Sequence, residues 1–86
     1  METSTAHIVY ILRCGDGTLY CGYTTDLTAR LAEHRAGKGA RYTRGRGPLD
    51  VVYSESLPDR SSALRREAEL KRQPRANKLR LIADGR

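Results

Sequence analysis

The sequence predicts a single α+β domain in which a three-stranded antiparallel sheet is flanked by helices. The chain has 86 residues, which leaves room for one core and no second domain. Segments with strand-like alternation and segments with helical spacing follow one another, separated by glycine or proline. The predicted order is β-β-α-β-α-α over residues 7–83, with a flexible N-terminus at 1–6 and a tail at 84–86.

A hairpin is predicted first. His7 to Arg13 and Thr18 to Tyr23 are rich in β-branched and aromatic residues, and Gly15 to Gly17 lies between them as a turn. Two strand-like runs joined by a short glycine-containing turn are typical of a hairpin of two antiparallel strands.

The length of the hairpin loop decides where Tyr10 and Tyr20 lie. A three-residue loop places Leu12 opposite Tyr20 and Tyr10 opposite Gly22, so that the two phenols are diagonal neighbours on one face. Gly22 then leaves an open space beside them. A two-residue turn would separate the tyrosines onto opposite faces, and a bulge would also change the register. Alternatively, both rings simply fill the core.

A helix is predicted after the hairpin. Thr24, Thr25 and Asp26 are candidate N-caps, the helix extends through about Ala36, and Gly37 ends it.

The second half of the chain is predicted to contain a loop, a strand and two helices. Lys38 to Pro48 is rich in glycine and arginine and has no period, which predicts a loop. Leu49 to Ser56 alternates as a third strand does. A helix is predicted from Pro58-Asp59 to about Gln73, and another from Pro74 to about Ala83. Two apolar residues of the last helix are expected against the core: Leu79 and Ile82.

Two polar residues of the first helix are expected to face the protein body. Arg30 and His34 are four residues apart, and at about 100° per residue both border the stripe formed by Leu27 and Leu31. Glu33 points the other way. The pair therefore indicates a cleft, although a single histidine in such a position is commonly a hydrogen-bonded core residue.

Glu67 is the most unusual residue of the second helix. It falls about 40° from Ala63, in the middle of an apolar stripe that Leu70 continues. A carboxylate there needs a partner, and Lys71, Arg30 or a divalent cation could serve. Leu64 and Ala68 complete the predicted stripe, and the residues predicted on the far side are Arg65, Arg66, Glu69 and Arg72.

The charge balance favours a polyanionic partner. Sixteen lysines and arginines against ten acidic residues give a net charge of +6.

Cys14 and Cys21 are separated by six residues without clustered histidines, so we expect reduced thiols, at least one of them buried. No signal peptide or membrane span is recognisable, and we expect a cytoplasmic location.

These residues match a known family. Val9-Tyr10-Ile11 and Tyr20-Cys21-Gly22 resemble the two tripeptides that name the GIY-YIG nucleases, with Ile8 and Val9 where the first tripeptide has glycine and isoleucine. The resemblance runs from about Val9 to Ile82 and is closest to small, stand-alone bacterial members. The other residues that match the family are Thr24, Leu27, Arg30-Leu31, His34, Arg66-Glu67 and Leu70-Lys71. Near the end of the chain, Lys78 matches the family better than Asn77 does.

The resemblance implies metal-dependent hydrolysis of phosphodiester bonds. Glu67 would bind Mg²⁺ or Mn²⁺, and Arg30 would clamp the non-bridging phosphate oxygens. His34 would position the phosphate or transfer a proton, and Tyr20, with Tyr10, would position or deprotonate the attacking water. These five residues are the predicted catalytic set.

The predicted partner is DNA, with RNA possible, bound with little sequence preference by a monomer or weak homodimer. Tyr20 to Gly47 also resembles a nuclease subunit that cuts branched DNA in eukaryotes, which suggests repair or recombination substrates. The alternatives are a nucleic-acid-binding module that does not cut and, less favoured, a purely structural protein. The residues predicted to contact nucleic acid are Arg35, Lys38, Arg41, Tyr42 as a platform for an unpaired base, Arg44, Arg46 and Lys71.

Overall fold

A computed structural model describes residues 6–84 of the chain and confirms the predicted fold class and element order. Strands β1 (His7–Arg13), β2 (Leu19–Thr24) and β3 (Asp50–Leu57) form one antiparallel sheet in the order β2-β1-β3. β1 is central, and its residues Val9 to Leu12 are buried. The predicted N-terminal extension and C-terminal tail fall largely outside the described residues.

The hairpin has the predicted register. Leu12 pairs with Tyr20, and Tyr10 pairs with Gly22, so the two tyrosines lie on one face of the sheet. The turn is closed by the Cys14 amide, which donates to the Thr18 carbonyl at 2.9 Å.

Three helices follow the predicted boundaries to within a few residues. Helix α1 (Leu27–Arg35) is capped by Asp26, whose carboxylate accepts from the Ala29 amide at 3.1 Å. Asp59 caps helix α2 (Arg60–Arg72) in the same way. Helix α3 (Arg75–Asp84) begins directly after Pro74.

The core lies between α2, α3 and the face of the sheet that does not carry the tyrosines. Val9, Ile11 and Cys21 pack there against Ala63 and Leu70. The prediction for α3 was half right. The residues that α3 places against this core are Leu81 and Ile82, whereas Leu79 is 37% exposed because it points to the outer side of the helix.

The loop between α1 and β3 is irregular except for a short 3₁₀ turn at Arg41–Thr43, which the sequence did not predict. The Arg35 guanidinium holds the end of the loop, since its Nε and Nη2 both donate to the Leu49 carbonyl, at 3.2 and 2.9 Å. Asp50 lies 3.7 Å from the same guanidinium.

Cys14 and Cys21 are both free thiols and both buried, as predicted. Among residues 6–84, no helix combines the length and the apolar character that crossing a bilayer requires.

Candidate active site

Tyr10 lies at the centre of the polar cluster on the open face of the sheet. Its side chain is buried, and its hydroxyl lies 2.9 Å from Nε2 of His34. The ring fits because its cross-strand partner Gly22 has no side chain: a Cβ there would lie 2.5 Å from the phenol oxygen and 2.6 Å from Cζ. The glycine of the second tripeptide therefore makes room for the tyrosine of the first.

We expect Gly22→Ala to lower the free energy of unfolding by about 1 to 3 kcal/mol, the usual cost of overpacking. The added methyl group must push the Tyr10 ring away from His34. Urea denaturation measures the loss. Gly47→Ala is the matched control, because a Cβ at Gly47 meets nothing within 4 Å. Equal stability of the two variants would contradict this packing.

His34 is held from both ring nitrogens. The Thr43 hydroxyl donates to the Ala40 carbonyl at 3.0 Å, which leaves its oxygen to accept from His34 Nδ1 at 2.9 Å. In the neutral ring Nε2 then carries no proton and accepts the Tyr10 hydroxyl hydrogen. The neutral imidazole thus has one tautomer that suits both partners, and Gly39 lets the loop approach it because any Cβ there would collide with Nδ1. Thr43 was not predicted, since nothing in the sequence links it to a histidine nine residues away.

The pKa shifts in this cluster have clear causes. Burial raises the pKa of Tyr10 to about 12; the neighbouring Arg30 guanidinium opposes the rise, and the charges of Tyr20 and Glu67 add to it. Burial, with the positive charge of Arg30, lowers the pKa of His34. Tyr10 is therefore a neutral hydrogen-bond donor at neutral pH and His34 a neutral acceptor.

The lowered pKa of His34 predicts acid sensitivity. The unfolded chain binds a proton at His34 more readily than the folded chain, so stability is complete above about pH 6.5 and declines as pH falls through the folded pKa. Urea unfolding at about pH 7.5 and about pH 5.5 should show the decline. It should shrink in His34→Gln and persist in His7→Gln, which removes the chain's other histidine. An unchanged decline in His34→Gln would contradict the assignment.

Tyr20 extends the cluster toward the loop. Its ring centroid lies 5.4 Å from that of His34 and 6.4 Å from that of Tyr10. Tyr42 stacks on Tyr20 at 5.8 Å, and the Arg46 guanidinium lies over the Tyr42 ring at 4.4 Å. Tyr42, predicted as a platform for an unpaired base, therefore contacts two side chains of its own chain and is 42% exposed.

Arg30 borders the cluster, as predicted, but also faces solvent. Its side chain is 33% exposed, and its Nη1 lies 2.7 Å from the Glu33 carboxylate. Glu33 is exposed, in agreement with its predicted place away from the apolar stripe, and it meets Arg30 because three helical positions separate them. The guanidinium is close enough to Tyr10 to lower the pKa of the phenol, and it remains accessible to a phosphate.

Glu67 belongs to α2, which packs on the opposite face of the sheet from the tyrosines. Its side chain is 18% exposed, so it is partly buried but not sealed, and its carboxylate pairs with Lys71 Nζ at 3.3 Å. Its charge raises the pKa of both Tyr10 and Cys21, whose side chains lie on different faces of the sheet. Glu67 thus acts electrostatically on the cluster without touching it.

The stripe around Glu67 is narrower than predicted. Ala63 and Leu70 are buried, but Leu64 is 40% exposed. Arg66, expected on the far side, turns back to the sheet, where its Nε lies 3.0 Å from the Glu55 carboxylate on β3. This pairing across elements could not be inferred from the helical period of α2 alone. Ala68, which was predicted in the apolar stripe with Leu64, is also exposed.

Most cations predicted to contact nucleic acid are bonded within the chain. Arg35 binds the Leu49 carbonyl, Arg44 Nε donates to the Gly37 carbonyl at 3.1 Å, and Arg46 pairs with Asp16 at 2.6 Å. Hydrogen bonds from Thr18 and Arg46 lower the pKa of Asp16 to about 2. Lys71 is engaged by Glu67. Lys38 and Arg41 are exposed and form no ion pair within residues 6–84.

A divalent metal would depend on few protein ligands here. Among residues 6–84, no three histidine, cysteine, aspartate or glutamate side chains are grouped as metal ligands. One carboxylate nevertheless fits Mg²⁺, which retains several waters and takes further oxygens from a substrate phosphate. Glu67 would have to release Lys71 to serve in this way.

Comparisons with known proteins agree on one family. The family model described as GIY-YIG catalytic domain matches residues 6–80. A UPF0213 protein of Natronomonas pharaonis is 54% identical, over 91% of this chain and 92% of that protein, and one of Staphylococcus epidermidis is 48% identical, over 92% and 96%. The solution NMR structure of a UPF0213 protein from Bacillus halodurans has a TM-score of 0.60 at 47% identity, with 91% of this chain and 83% of that chain covered.

Proposed function

The chain belongs to the GIY-YIG catalytic domain family, and from this premise we propose that it is a metal-dependent endonuclease acting on DNA with little sequence preference. The observation that carries the proposal is the environment of Tyr10. Its hydroxyl lies 2.9 Å from His34 Nε2, the Tyr20 ring centroid lies 6.4 Å from its own, and the Arg30 guanidinium is near enough to oppose its raised pKa. Four of the five proposed catalytic residues are thus grouped around one phenol, and Glu67 stands on α2 at the other face of the sheet.

The role of Arg30 follows from its position at the rim of the cluster. Phosphodiester hydrolysis builds negative charge on the non-bridging oxygens, and a guanidinium fork can bind two of them at once. Arg30 is a partly exposed cation beside Tyr10, and its Nη1 is paired with Glu33. A phosphate that binds both donors of the fork would displace Glu33 from Nη1.

We therefore expect Glu33→Gln to bind DNA about twofold to fivefold more tightly, since exposed ion pairs contribute about 0.2 to 1 kcal/mol. Fluorescence anisotropy with a labelled oligonucleotide measures this. Glu69→Gln, which removes an exposed partner of Arg66, is the control for the change in net charge. Equal tightening in both variants would show that Glu33 has no particular effect on Arg30.

The two tyrosines have different roles in this proposal. Tyr10 is buried, and its raised pKa keeps it protonated, so it fixes the ring of His34 and is not a base. Tyr20 is less buried and stands beside the same imidazole, where its hydroxyl can orient an attacking water. Mg²⁺ or Mn²⁺ held by Glu67 would supply charge neutralisation of the phosphate and acidify a bound water.

A binding module that does not cut is the second candidate. The observation that favours it is the ion pair between Glu67 and Lys71 at 3.3 Å, which gives the carboxylate a structural partner. In that case Arg30, Lys38 and Arg41 would still attract a phosphate backbone.

One experiment separates these functions. Purified protein is incubated with single-stranded, duplex, flap and branched DNA and with RNA, with Mg²⁺, Mn²⁺ or a chelator. Cleavage that requires the metal supports the endonuclease and identifies its preferred substrate. Binding that is independent of the metal, with no cleavage of any substrate, supports the binding module, and no affinity for any nucleic acid contradicts both.

A further inference from the structure

A small cavity lies next to the proposed catalytic centre and has no part in the mechanism above. Its volume is about 190 Å³, and it is lined by Thr18, Leu19, Tyr42, Arg75 and Lys78. The lining combines the start of β2, the loop before β3 and the first turn of α3. Three parts of the chain that are distant in sequence thus enclose one concave surface.

The cavity contains two uncommitted cations. Arg75 and Lys78 are on one face of α3, three positions apart, and neither forms an ion pair or a side-chain hydrogen bond within the described part of the chain. Arg35, Arg44 and Arg46, by contrast, are all bonded to protein groups. Two unpaired cations in one concave site favour an anionic ligand.

The position of the cavity favours a nucleic-acid strand as that ligand. Tyr42 forms one of its walls and stacks on Tyr20, so a single ring separates the cavity from the proposed catalytic centre. The positive charge of Lys78 opposes the raised pKa of Cys21, whose side chain lies on the other face of β2 from Tyr20, so the cavity lies at the β2 edge of the sheet. A strand that runs from Arg30 past Tyr20 and Tyr42 would bring a further phosphate to Arg75 and Lys78.

We propose that this cavity is a binding subsite for a second phosphodiester linkage of the same nucleic-acid strand, held by Arg75 and Lys78 beside Tyr42. The inference rests on the proposed nucleic-acid substrate, but it does not require that the strand is cut. The subsite fixes the direction of the strand across the Tyr20 edge of the sheet. Arg75 and Lys78 are positioning residues here, because they contact the strand away from the scissile bond.

The first test measures DNA binding without metal, so that cleavage plays no part. Arg75→Ala/Lys78→Ala is compared with Arg72→Ala/Arg80→Ala, which removes the same charge from exposed positions that form no ion pair within residues 6–84. For a single strand, loss of one phosphate contact should reduce the slope of log affinity against log salt by about 0.7 in the first variant and much less in the second. Circular dichroism checks that both are folded.

The second test locates the linkage. Oligonucleotides carrying one neutral methylphosphonate at successive positions are bound to the wild-type protein and to both double variants. The proposal predicts one position at which neutralisation weakens binding to the wild type and to Arg72→Ala/Arg80→Ala but not to Arg75→Ala/Lys78→Ala.

The outcomes separate the two proposals. Equal losses in all three proteins at every position would overturn the subsite, even if the protein cuts DNA. A position-specific loss without cleavage of any substrate would support the subsite and contradict the endonuclease. Absence of binding to every oligonucleotide would overturn both.

Discussion

Glu67→Gln is expected to reduce the cleavage rate about 10³-fold, which corresponds to about 4 kcal/mol of transition-state stabilisation. The substitution preserves the size of the side chain but removes the negative charge that would hold the metal. Because the pair with Lys71 is near the surface, stability should change by less than about 1 kcal/mol. Single-turnover cleavage of the preferred substrate, with thermal unfolding in parallel, measures both quantities.

Glu69→Gln is the matched control on the same helix. Glu69 is exposed and pairs with Arg66, so its replacement alters the charge of α2 equally but leaves the proposed metal ligand intact. Cleavage by this variant should stay within about twofold of the wild type. If Glu67→Gln cleaves as fast as Glu69→Gln, the carboxylate is only the structural partner of Lys71.

Arg30→Ala should reduce cleavage by about 10² to 10³-fold, the usual effect of removing a donor that stabilises transition-state charge. Its guanidinium is a partly exposed cation next to Tyr10. The loss should appear mainly in kcat, with a smaller change in DNA affinity, since charge develops on the phosphate as it reacts. Quench-flow and anisotropy measurements separate the two.

Arg30→Lys and Arg80→Ala are the controls for this prediction. Lysine keeps the charge but not the planar fork, and it should restore only part of the rate. Arg80 is exposed on α3, and its loss tests the effect of net charge alone. A rate in Arg30→Lys equal to the wild type would show that the fork geometry does not matter, and equal losses in Arg30→Ala and Arg80→Ala would remove Arg30 from the site.

Strand alternation, turn residues and helical spacing, which all depend on residues close together in the sequence, were sufficient to predict the hairpin and the helices. The odd number of loop residues determines that Tyr10 and Tyr20 share a face, and the glycine opposite Tyr10 could be predicted from the same register. The spacing of Arg30 and His34 placed both beside the sheet. These predictions succeeded because each depends on residues within one element or one pair of strands.

The choice of polar partners could not be predicted in the same way. Thr43 binds His34, Asp16 binds Arg46, and Arg66 reaches Glu55, all through contacts between separate elements. Helical period gives the direction of a side chain but not what lies opposite it. Most cations expected to face a nucleic acid were therefore found bonded to the chain. Of the two cations that line the cavity, Lys78 belongs to the family resemblance, whereas Arg75 had no distinguishing signal in the sequence beyond its charge.

The central claim is that Glu67 and the Tyr10, Tyr20 and His34 cluster serve one reaction, although α2 and the cluster lie on different faces of the sheet. Titration with Mn²⁺, followed by paramagnetic broadening of the NMR signals, tests this most directly. The claim predicts saturable broadening that includes Glu67 together with Tyr20 and His34 and that is lost in Glu67→Gln. Broadening confined to other carboxylates, or to α2 without the cluster, would contradict it.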